Sequence, residues 1–166
     1  MKQKILKTGI SSAWIIIPAL TFLFFRIIGF NGLYGQDAFE YLRYTHSLGL
    51  FFRHGILPGN FPWPPLYPLM GCLAGFVIPE TIALQAISIA SLGVSIRLME
   101  LILGLLYPVN RKNAKLFTFL FFALSPFVIR YSTTVMSDAP SLCFALACCY
   151  FTLKFRETAK PRFFLL

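Results

Sequence analysis

The sequence predicts an all-α, polytopic membrane protein with about four transmembrane helices and interfacial helices in its first outer loop. Three observations carry that expectation. Of 166 residues, 57% are hydrophobic and only 13% are charged, about half the charged share of an ordinary soluble domain. Several apolar runs approach the roughly 20 residues that cross a bilayer. The basic residues fall in clusters between those runs, as they do in cytoplasmic loops. The formal charge of +9 is therefore read as topology, and nucleic acid is excluded as a partner.

Taken in order, Lys2, Lys4 and Lys7 precede an apolar run from Gly9 to Ile28. The run is longer than the core of a cleaved signal peptide and lacks a small-x-small exit. It is expected to be an uncleaved first crossing with the N-terminus cytoplasmic. A first outer loop follows, over about residues 30–68. Within it Asp37 to Phe52 is expected to form an interfacial helix, because Tyr41, Tyr44, Leu48 and Phe51 recur at helical spacing. Glu40 and Arg43 lie three apart as an ion pair. Pro58, Pro62, Pro64 and Pro65 then forbid regular helix.

Leu66 to Ile78 is too short for a comfortable span and is expected to be juxtamembrane or re-entrant; the alternative makes it a crossing too and puts the Arg111–Lys115 cluster outside. Glu80 to Pro108 is the inward crossing, and Arg111, Lys112 and Lys115 mark the cytoplasmic side. Lys115 to Ile129 returns outward. Asp138 and Pro140 open the last crossing, which ends at Lys154, Arg156, Lys160 and Arg162. Cys72, Cys143, Cys148 and Cys149 all sit in apolar runs and behave as small hydrophobes. None has zinc-ligand spacing with a histidine.

The acids carry the functional signal. Asp37 and Asp138 each begin a helix, where a carboxylate meets backbone N–H groups and the positive end of the helix dipole. A helix cap explains either one alone. Both fall on the same expected face, which is how a site built from loop ends would look. Arg53, His54 and Arg130 are candidates for an anionic group, since arginine offers a bidentate fork. Contact with membrane lipid headgroups explains them equally well. Arg97 and Glu100, three apart in an apolar run, are read as a structural pair. His46 and His54 lack the i, i+4 spacing of a helical metal pair.

Several of these pieces resemble a known family. Asp37 with Tyr41, then Pro64-Pro65-Leu66-Tyr67-Pro68, then Ser125-Pro126 and Asp138-Ala139-Pro140 follow the order found in GT-C-fold glycosyltransferases that use polyprenyl-phosphate sugars. The resemblance is to the N-terminal part of the bacterial branch similar to protein O-mannosyltransferases and aminoarabinose transferases. It implies transfer of a sugar from a polyprenyl-phosphate donor to a glycan, lipid or protein acceptor on the outer face of an inner (cell) membrane. Asp37 and Asp138 would be catalytic, with Asp37 the base. Glu40, Arg53, His54, Tyr67 and Arg130 would bind substrate.

The chain departs from that pattern in two ways. Asp37 is followed by Ala38 where many relatives carry a second acid. About four helices stand where the family has roughly a dozen, so residues 1–166 are expected to be an incomplete N-terminal portion. Some relatives use a divalent metal and others do not, and these residues do not choose between the two. The rival reading is a non-catalytic small membrane subunit or transporter fragment, in which both aspartates are caps.

Overall fold

The computed structural model describes residues 13–158. The described chain is entirely helical: α1 (Ala13–Ile27), α2 (Gly35–His54), α3 (Leu66–Gly75), α4 (Glu80–Leu106), a 3-10 turn (Pro108–Asn110), α5 (Arg111–Leu124), α6 (Pro126–Thr133) and α7 (Asp138–Thr158). α4 is the post of the bundle, and all six other α-helices pack on it. Its buried positions include Leu84, Ser88, Leu92, Ser95 and Ile96. They recur every three or four residues, the spacing that puts side chains on one helix face.

The packing is closest where α4 and its neighbours carry small residues. A Cβ at Gly93 would lie 2.6 Å from the Trp14 carbonyl oxygen and 3.0 Å from Pro18 Cγ. The absence of a side chain there lets α1 lie directly on α4. Gly71 on α3 does the same, since a Cβ would come within 2.8 Å of Leu84 Cγ. Leu92, Ile96 and Phe122 form one core cluster. Ala38, Tyr41, Tyr67, Leu84 and Val135 form the other.

The expectation of about four crossings is corrected. Among the described residues one helix, Glu80–Leu106, is long and apolar enough to cross a membrane. The expected return over 115–129 is broken, because α5 and α6 meet at a bend of 66°. The residue before a proline is pushed out of the helical region, and Ser125 is extended with ψ 104. Only if that bent pair counts as one span does a second candidate appear. In α7, no stretch long enough to span avoids the charged ends at Asp138, Lys154, Arg156 and Glu157. The described part of the first expected crossing, α1, has 15 residues and falls short of a span. The remainder of that crossing, Lys2 to Lys7, and Lys160 and Arg162 lie outside the described residues.

A multi-pass inner-membrane arrangement with a cytoplasmic N-terminus is therefore not what these helices build. The expected interfacial helix is also reassigned. α2 buries Tyr41, Thr45 and Leu48 against α3 and α4, so the first part of its apolar stripe is spent inside the bundle, while Phe51 and Phe52 stay exposed.

Glycine spacing makes a direct test. Gly93→Ala should destabilise the fold by about 1–3 kcal/mol, the usual cost of overpacking. Gly104, also on α4, has nothing within 4 Å of its Cβ position. Gly104→Ala should stabilise by up to about 1 kcal/mol through helix propensity. Denaturant unfolding of the two variants in parallel checks both signs.

Candidate functional site

The starts of α2 and α7 are brought together by the two loops that precede them. Val135 donates its backbone N–H to the Gly32 carbonyl at 2.7 Å. One turn into α2, the Tyr41 hydroxyl meets Ser137 Oγ at 2.7 Å. This places Asp37 and Asp138 around one phenol. Burial pushes the Tyr41 phenol up, the Ser137 hydrogen bond opposes that, and the charges of Asp138 and Asp37 add to the rise. The two acids that the sequence singles out thus share a neighbourhood.

Beneath Tyr41 lies a second tyrosine. The rings of Tyr41 and Tyr67 meet edge to face at 5.1 Å, and Trp63 covers Tyr41 at 5.6 Å. The Tyr67 hydroxyl donates to the Leu84 carbonyl at 3.0 Å and lies 2.8 Å from Ser88 Oγ. Ser88 donates in turn to the Met136 carbonyl at 3.2 Å. Gln85 Nε2 donates to the Thr133 carbonyl at 3.1 Å. These bonds tie α3 and α4 to the segment that leads into α7, and the Tyr41 ring contact adds α2. Burial pushes the Tyr67 phenol far above its ordinary range.

Arg130 also reaches this region. Its guanidinium lies 4.7 Å above the Tyr34 ring. Together with Asp37, Gln36 and Thr134 it lines a cleft of about 230 Å³. Other expected site residues fall elsewhere. Glu40 is held by Arg43, with bonds of 2.9 Å from Nε and 2.7 Å from Nη2. Arg53 lies over the Phe76 ring at 5.1 Å, and His54 ends the same helix. Sixteen residues of α2 separate Asp37 from Arg53, about 24 Å at the helical rise. Tyr67 is present but as a buried support.

The sequence did not point to a second feature beside this cleft. A cavity of about 390 Å³ opens between α4, α6 and α7. Leu92, Phe127, Val128 and Leu142 give it apolar walls, and Asp138 lies on its lining. It shares Tyr131 and Met136 with the smaller cleft. Ser95, fully buried, also lines it. Its Oγ has no oxygen or nitrogen partner, and the Cys143 thiol is its polar neighbour. A lone serine within an apolar helical run carries no local signal of such a role.

Elsewhere, His46 Nδ1 lies 3.3 Å from Glu80 Oε2, and Arg97 pairs with Glu100 at 3.0 Å. Among the described residues no three His, Cys, Asp or Glu side chains group closely enough to hold a metal ion.

No protein-family model, curated protein or solved structure matches the chain. The likeness to GT-C glycosyltransferases rested on short motifs, and it is overturned together with the membrane architecture it required. Ser125-Pro126 is a bend in this bundle, and Pro64-Pro65-Leu66-Tyr67-Pro68 is the entry to a short packed helix. Transfer of a sugar from a polyprenyl-phosphate donor has no support in this fold.

The Tyr67 network predicts an alkaline dependence. A phenol whose folded pKa is raised contributes stability that is present below the unfolded value of about 10 and lost as pH rises above it. Tyr67→Phe should cost about 1 kcal/mol near neutral pH, a typical net hydrogen-bond loss. It should also flatten the fall in stability above about pH 10. Chemical denaturation across that pH range checks both effects.

Proposed function

We propose that this chain is a helical binding module for a small amphiphile with a cationic head. The observation that carries the proposal is the cavity of about 390 Å³, with apolar walls and Asp138 on its lining. Its volume lies within the range of about 300–1,000 Å³ typical of small-molecule sites. An apolar body of roughly that size would leave water for the space between α4, α6 and α7. Its head would lie toward the starts of α2 and α7.

The charge around that head favours a cation. Among the described residues neither Asp37 nor Asp138 has an ion-pair partner within 4.0 Å. Arg130 is already engaged with the Tyr34 ring. In this reading Asp138 grips the head at the cavity, and Asp37 contributes from the adjoining cleft. Ser95 Oγ offers a hydrogen bond to a polar atom within the apolar body. Arg130 closes the far side of the cleft, while Tyr67 holds the wall in place.

Displacement of an environment-sensitive alkylamine dye tests the reading, with octylamine and octanol as competitors. Octylamine should compete better than octanol. Asp138→Asn, which removes the charge and keeps the side-chain size, should remove that preference and weaken octylamine about tenfold, as loss of a charged hydrogen bond does. Leu142→Trp should fill the cavity and weaken both competitors. Equal competition by amine and alcohol, or full binding to the Leu142→Trp chain, would overturn the proposal.

A further inference from the structure

The far end of the bundle carries a different surface. Hydrogen bonds from Gln85 to Thr133 and from Ser88 to Met136 join residues 48 apart. The same separation recurs where Ser95 meets Cys143. α4 and α7 therefore run parallel and in register, which brings Lys154 level with Leu106. The corner between α4 and α5 and the C-terminal turn of α7 thus share one end. That end lies about 27 Å along α4 from Ser88, at 1.5 Å per residue.

Its composition is two-layered. At the corner Tyr107 is 58% exposed and Val109 is 94% exposed. They form an apolar and aromatic tip that the other described residues leave largely exposed. Beside it stand Lys112 and Lys115 on α5, and Lys154 and Arg156 on α7. Glu157 is the acid at this end, and Lys154 binds it at 2.6 Å. Glu100, further up α4, has a side chain only 1% exposed and is paired with Arg97. The other described acids, Asp37, Glu40, Glu80 and Asp138, belong to the N-terminal parts of α2, α4 and α7. The basic end therefore faces outward with an excess of positive charge.

We propose that this end docks on an anionic lipid surface, with Tyr107 and Val109 entering the headgroup layer and Lys112, Lys115 and Arg156 meeting the anionic heads. An exposed aromatic and aliphatic tip ringed by lysines is the chemistry of an interfacial anchor. The apolar part leaves water, and each cation near the surface adds an attraction that salt screens. Charge complementarity selects this occupant over an apolar protein groove, which would leave the lysines without partners. The surface is separate from the amphiphile cavity, so either assignment can fail alone.

Flotation of the full chain with vesicles is the test. One set is phosphatidylcholine alone, and the other is an equal mixture of phosphatidylcholine and phosphatidylglycerol. The chain should favour the anionic vesicles, and added salt should remove the preference. At about fivefold per lysine, K112Q/K115Q should lower partition into anionic vesicles about 25-fold and leave neutral vesicles unchanged. Val109→Asp, at a position without packing contacts to lose, should reduce binding to both sets while helicity is kept. Equal partition of the parent chain into both vesicle types would overturn the proposal, as would a K112Q/K115Q chain that binds anionic vesicles like the parent.

Discussion

Burial of α4 is the constraint from which the rest of the structure follows. A single helix of 27 residues supplies a packing face to every other α-helix in the described chain. Small residues at the contacts set the approach distances. Gly93 admits α1, and Gly71 on α3 admits the Leu84 side chain. With those approaches fixed, the polar groups on α4 can be satisfied only by particular partners. Ser88 and Gln85 reach backbone carbonyls in the segment before α7. An unsatisfied buried hydroxyl or amide costs on the order of 1–3 kcal/mol, so these bonds hold the register of α7 on α4 and not merely its proximity.

That register produces both proposed surfaces. At one end it carries Asp138 and Ser137 to Tyr41 and leaves the cavity beside Ser95. At the other end it carries the basic turn of α7 to the apolar corner after α4. The Tyr41–Ser137 bond makes the first of these two-sided, because Asp37 comes from α2 and Asp138 from α7. Neither helix start alone encloses anything. Their acids act on the same phenol because the loops at Gly32 and Val135 are bonded to one another.

Much of the local structure was legible in the sequence. The spacing of Tyr41, Tyr44 and Leu48 marked α2, and Asp138-Ala139-Pro140 marked the start of α7. The Glu40–Arg43 and Arg97–Glu100 pairs form as their three-residue spacing suggests. The misreadings came from apolar residues whose destination was ambiguous. An apolar stripe packs against another helix as readily as against lipid, and α2 buries Tyr41 and Leu48 of its stripe on α3 and α4. The run over 115–129 stayed apolar across Pro126, so composition hid a bend that the proline itself imposed. The site was legible in part. Asp37 and Asp138 each stood out as helix-opening acids, and Arg130 stood near the second. What joins them is a bond between residues 96 apart, and no local pattern encodes it. Arg53 and His54 had the right chemistry but sit at the wrong end of α2.

The central claim is the parallel register of α7 on α4, and a cysteine crosslink tests it most directly. Cys72, Cys148 and Cys149 would be replaced by alanine, leaving Cys143. A second cysteine would then be placed at Ser95, or at the outward-facing Val94 as a control. Under mild oxidation the Ser95→Cys chain should form an intramolecular disulfide rapidly and the Val94→Cys chain should not. Rapid closure from position 94 with none from position 95 would contradict the register, and with it the placement of Asp138 at the cavity and of Lys154 at the basic end.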